Sequence, residues 1–206
     1  LTQIRASLSI SFLMISYFVS PKYAKFCFKL LALLTHYSIS FVLLFEFIYY
    51  FFKRNILFHT IVITFFCVCL YFLIGFTPYA VYDSLSYSES FNPFSFKNFF
   101  IIVSFLMIIF FYKNNDDNFY FVKKLSALSI SLLVMYYIFG LRYPSVAIRV
   151  ADLSLFFGLL SLTFVRNNSV LIIYKYISLM ILSVYFTYIF YIADDPVISL
   201  DKWGVK

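Results

Sequence analysis

Charge is what this chain has least of. Asp, Glu, Lys and Arg make up 12% of its 206 residues, against about a quarter in a soluble domain, while 64% are hydrophobic. An ordinary soluble domain is excluded, and the composition points to an all-α, polytopic transmembrane helical bundle. Cysteine is also scarce: Cys27, Cys67 and Cys69 lie in apolar segments with no second ligand at metal spacing, so they read as core residues, without a metal. No GxxxxGK[ST], HExxH, GxGxxG or CxxC occurs, which leaves nucleotide hydrolysis, zinc proteolysis and thiol redox without local support. There is no internal repeat and no basic patch suited to nucleic acid. No charged signal-peptide region precedes the first apolar run and the first residue is Leu, so the expectation is the carboxy-terminal part of a longer chain.

What is present is aromatic and aliphatic. Thirty Phe and 19 Tyr fit the codon usage of an AT-rich genome better than a ligand cage, and the net charge of +7 fits basic loops on the cytoplasmic side. Eight apolar stretches can be drawn, near 4–20, 23–35, 37–52, 56–76, 98–112, 125–141, 150–165 and 169–191, giving about 7–8 membrane helices. They form one integral membrane domain over 1–206, with residues 77–97 as an extracytoplasmic loop between Pro78 and Pro93. Residues 23–52 can be one long helix or two short ones meeting at Thr35–Ser38. With two, the loops holding Lys22/Lys25/Lys29, Lys53/Arg54, Lys113/Lys123/Lys124 and Arg166/Lys175 share one side and collect ten of the 16 basic residues. The positive-inside rule therefore favours two.

That topology places Arg5, His36, the 77–97 loop and the 142–149 loop on the outer face. Arg5, Arg142 and Arg149 are planar forks suited to phosphate oxygens; snorkelling to headgroups explains Arg142 and Arg149 equally, as does an ion pair from Arg149 to Asp152. If Pro144 starts a helix, Arg142 and Arg149 can share a face. His36, among Ala32, Thr35 and Ser38, has room for a substrate and can take a proton from a sugar hydroxyl; a histidine packed between Thr and Tyr is the plainer account. His59 reads as interfacial. Asp83, Glu89 and Asp152 are alternative bases or solvated carboxylates. Glu46, inside VLLFEFIYYF, needs an internal partner, a tyrosine or a basic group on a neighbouring helix.

QIRASLSISFLMISYF, a lysine-rich link and KFCFKLLALLTHYSISFVLLFEFI together resemble the "QIRQ-x-LA … K-x-F … LA-x-LFH-x-SA" core of the EpsG-like family, counted among the Wzy-type polysaccharide polymerases. IRVADLSLFFGLLSL is similar to the family's later arginine-headed helix. Gln3, Arg5, His36 and Ser38 fall on motif positions and Arg149 on the later arginine; Ser7, Ser9 and Thr35 depart from the pattern but stay small. The resemblance implies a membrane glycosyltransferase of the bacterial inner membrane, multi-pass, joining undecaprenyl-pyrophosphate-linked oligosaccharides into O-antigen, capsule or exopolysaccharide at the outer face. It implies Arg5, His36 and Arg149 as catalytic residues, with Gln3, Ser38, Arg142 and Asp152 binding substrate. Arginines would stabilise the departing pyrophosphate without a metal or other cofactor. The partners it implies are the lipid-linked oligosaccharide, the bilayer and a chain-length regulator protein. Two rivals are a carrier or flippase for a lipid-linked sugar and a structural subunit of an organellar respiratory complex.

Overall fold

A backbone threaded through apolar side chains must satisfy its own N–H and C=O groups, and the α-helix does so within one segment. A computed structural model describes residues 2–36, 38–52, 56–74, 76, 91–112, 118–166 and 168–191, and among them every regular element is a helix. These are α1 (Thr2–Phe18), α2 (Lys22–Thr35), α3 (Ile39–Phe52), α4 (Ile56–Ile74), α5 (Phe96–Phe111), α6 (Phe119–Phe139), α7 (Pro144–Thr163) and α8 (Ser169–Tyr191). Three stretches, Phe119–Phe139, Val146–Thr163 and Ser169–Tyr188, are long and apolar enough to cross a membrane. Arg5–Phe18, Ile39–Phe52, Phe58–Leu73 and Phe96–Phe111 are shorter apolar helices.

Residues 23–52 form two helices, not one. α2 ends as His36 turns to extended backbone, its N–H bonding Ala32 O, and the chain reverses into α3. Each helix has 14 residues, about 21 Å of rise and short of a bilayer core of about 30 Å.

Several basic residues assigned to loops belong to helices instead. Lys22, Lys25 and Lys29 lie in α2, Lys123 and Lys124 in α6, and Lys175 in α8. Lysine is a good helix former and its long stem lets the ammonium leave an apolar helix sideways; Lys175 Nζ, for example, reaches Val165 O at 3.2 Å. The loop expected over 77–97 also ends early. Ser95 caps α5 by accepting the Asn98 N–H, so Phe96 and Lys97 are helical. Residues 77–90, which hold Asp83 and Glu89, lie outside the described residues.

α6 is the centre, with α3, α4, α5 and α7 packed around it. Leu125, Leu128, Leu132, Leu133, Met135 and Phe139 are buried on it, interleaved with buried Ser126, Ala127, Ser129 and Ser131. Small residues let a neighbouring backbone come close. On that face Ser129 Oγ donates to Ser154 O of α7 and Ser154 Oγ donates back to Ser129 O, both at 2.7 Å. A Cβ on Gly158 would sit 3.0 Å from Ser129 Oγ.

Aromatic and polar contacts define two ends. At one, Phe18, Phe121 and Phe164 cluster, with ring centroids 5.0–6.1 Å apart. At the other, Tyr136 and Tyr137 of α6 donate to Asn92 O and Pro93 O, at 2.8 and 2.9 Å, and Phe91 packs on Tyr136. The α2–α3 turn, the α6–α7 link and the start of α5 all belong to this second end.

Candidate functional site

The second end gathers most of the residues singled out from the sequence. α1 and α2 pack antiparallel, Ser9 Oγ donating to Ala32 O at 2.6 Å and Phe12 meeting Phe28 at 6.3 Å. Continuing that register brings exposed Arg5 level with Thr35 and His36. Gln3 lies two residues before it in the first turn of α1, and its side chain is outside the described residues.

His36 is half-buried where α2 ends. Its Nδ1 accepts the Ser38 N–H at 3.2 Å. A neutral imidazole has one donor and one acceptor nitrogen, so this bond puts the proton on Nε2. Burial, and then the charge of Arg149, hold the His36 pKa below its ordinary value. The charge of Arg149, in the first turns of α7, is thus felt at the imidazole of the α2–α3 turn. The two residues are 113 positions apart in the chain, and only the α6–α7 reversal brings them to one end.

Arg142 and Asp152 are placed differently from expectation. Pro144 does begin α7, yet Arg142 precedes its cap residue, Tyr143, so the seven-residue spacing to Arg149 does not run along one helix. Arg142 is exposed, its guanidinium 5.3 Å from the Tyr143 ring centroid and 5.8 Å from that of Tyr71 on α4. Asp152 pairs with Lys97 of α5, Nζ to Oδ1 3.2 Å, rather than with Arg149 one turn back. An exposed pair of this kind holds little free energy.

A second polar centre lies deeper, toward the first end. Glu46 accepts from Lys29 of α2 and Lys124 of α6, each at 2.9 Å, and Tyr17 OH of α1 reaches its Oε2 at 3.5 Å. Lys124 Nζ also stands 4.2 Å from the Tyr17 ring centroid. A carboxylate in an apolar helix requires such partners; that need is visible in the sequence, but the identity of Lys29 and Lys124 is masked by their proximity to loop charges.

His59, read as interfacial, is enclosed by the protein rather than open to the surface. It is fully buried in the first turn of α4, its ring edge-on to Tyr49 of α3 at 5.4 Å, and neither ring nitrogen has a hydrogen-bond partner of good geometry among the described residues. Its position beside Lys53 and Arg54 suggests the interface, whereas the aromatic α3 covers it. Among the described residues no three His, Cys, Asp or Glu side chains come together as a metal site.

The second end thus carries permanent positive charge and a neutral imidazole whose Nε2 is a donor. Comparison with protein-family models, curated proteins and solved structures finds no match for this chain.

Proposed function

We propose that the protein is a polytopic glycosyltransferase of a bacterial inner membrane, with the shorter apolar helices embedded beside the three long ones. It joins undecaprenyl-pyrophosphate-linked oligosaccharide units into O-antigen, capsule or exopolysaccharide at the outer face. The observation that carries the reading is that the charge of Arg149 acts on His36, in the α2–α3 turn, at the end where Arg5 also lies; the motif resemblance of residues 3–46 and 149–157 supplies the chemistry.

In that reaction a hydroxyl oxygen of the incoming unit attacks the anomeric carbon of the growing chain. The bond from that carbon to the diphosphate breaks, and the diphosphate leaves with the electron pair. Arg5 and Arg149 stabilise the charge that develops on it. His36 Nε2–H donates to a diphosphate oxygen, a role that fits the Ser38 bond to Nδ1 better than proton abstraction does. Gln3, Ser38, Arg142 and Asp152 border the same end and bind substrate. The proton of the attacking hydroxyl passes to a carboxylate; Asp152, tied to Lys97, is one candidate.

The test is complementation of a polymerase-null strain with the full-length protein, reading polymer length on gels. Arg149→Ala and Arg5→Ala leave single-unit product, with membrane abundance of the protein unchanged. His36→Gln, which keeps an amide donor, retains more polymer than His36→Ala. Long polymer from both arginine variants sinks the assignment. Loss of even the single-unit product at the outer surface points to a carrier instead.

A further inference from the structure

The Glu46 cluster opens onto a cleft that the proposed chemistry does not use. Its volume is about 600 Å³, within the range of roughly 300–1,000 Å³ typical of small-molecule sites. α2, α3 and α6 form its walls. Lys29, Glu46 and Lys124 make its polar end, and Phe26, Leu33, Leu43, Phe47 and Tyr50 are among its apolar lining.

Three features define what fits. Two ammonium groups face one carboxylate, so the polar end carries one surplus positive charge. Each ammonium has three donors and gives one to Glu46, which leaves donors for a second anion. The mouth is apolar and sideways: Phe26, Phe47 and Tyr50 are 61–72% exposed, and the neighbouring faces of α2 and α3 continue with exposed Leu30, Leu34 and Phe51. A free, hydrated anion gains nothing from such walls. An amphiphile does, and α2 and α3 fall short of the hydrocarbon core by about 9 Å, a mismatch that lipid must accommodate.

We infer that the cleft between α2, α3 and α6 is a binding site for an anionic phospholipid, its phosphate at Lys29 and Lys124 and its chains along the exposed apolar faces of α2 and α3. Basic pockets between membrane helices on the cytoplasmic side suit such headgroups. The inference rests on the membrane setting of the proposed function, not on its chemistry.

Native mass spectrometry of the protein in mild detergent, titrated with phosphatidylglycerol or phosphatidylcholine of matched chains, tests it. Phosphatidylglycerol adducts should form about 5-fold more tightly, the worth of one charge. Lys29→Met leaves a neutral Lys124–Glu46 pair and should erase the preference, while Glu46→Gln leaves two cations and should enlarge it. Equal retention of both lipids overturns the inference, as does an undiminished preference in Lys29→Met. Competition by inorganic phosphate at lipid-like concentrations overturns it too, since the site would then read the anion alone. Release of the protein from membranes by alkaline wash without detergent would fell the membrane setting itself, a failure separate from loss of lipid preference.

Discussion

His36 shows how much one side chain's surroundings restrict its chemistry. Its pKa lies below the ordinary value because the ring is partly buried and Arg149 is near. The folded protein therefore binds this proton less readily than the unfolded chain. The stability associated with the neutral ring is present above the ordinary histidine pKa and lost as pH falls through the lower folded value. Arg149→Gln should raise the His36 pKa by removing the repulsion, yet leave it below the ordinary value because burial remains. Histidine NMR titration reads both parts; an unchanged pKa would mean the guanidinium does not act on the ring. Glu46 gives the second prediction at this scale. With it replaced by Gln, Lys29 and Lys124 face each other without a counter-charge, and the protein should lose about 1–3 kcal/mol, less than the 3–5 typical of a broken, wholly buried pair because the cleft admits solvent or headgroups. Lys29→Met should cost less, since Lys124 still neutralises Glu46. Thermal unfolding in detergent gives the order.

Helix ends and helix faces are legible in the sequence to different degrees. The apolar runs foretell eight helices, and the polar Thr35–Ser38 interruption foretells the break between α2 and α3, because basic residues on one side require a reversal there. Boundaries fail where a lysine or a cap sits beside an apolar run. α6 begins at Phe119 rather than 125 because FYFVKK carries no helix breaker and Lys124 has Glu46 to meet. The site is legible only in part: the need of Glu46 for a partner follows from its apolar neighbours, whereas the effect of the Arg149 charge on His36 depends on how α7 docks, which no local pattern encodes. Packing between elements is equally hidden and equally testable. A Cβ at Gly140 would overlap the Phe91 ring, which holds the segment before α5 against Tyr136. Gly140→Ala should cost about 1–3 kcal/mol by overpacking, and Phe91→Leu in the same chain should recover part of it. Equal stability of Gly140→Ala and the parent would place Phe91 elsewhere.

For the whole molecule the question is whether its two ends face opposite sides of a membrane. The helix order alternates between them: the α1–α2 link lies with Phe18, Phe121 and Phe164, while the α6–α7 link lies with Arg142 and the Tyr136–Asn92 bond. Three helices among the described residues, long and apolar enough to cross, are compatible with a non-polar layer between these ends, and the exposed Ile, Leu, Met and Val side chains of α8 fit lipid contact better than water. The positive-inside rule then predicts the sense. Lys22 and Lys25 stand near the first end, so that end should face the cytoplasm and the His36 end the outside. Single cysteines at Ser20 and Leu141, both exposed, in a chain with Cys27, Cys67 and Cys69 replaced by serine or alanine, make the test. A membrane-impermeant maleimide added to intact spheroplasts should label the Leu141→Cys variant and spare the Ser20→Cys variant until the membrane is opened. The opposite pattern would invert the protein and put Arg5, His36 and Arg149 on the wrong side for the proposed chain extension outside the cell. Labelling of both in intact spheroplasts would mean that the two ends share a compartment, and the helices between them would then need another account of their apolar surface.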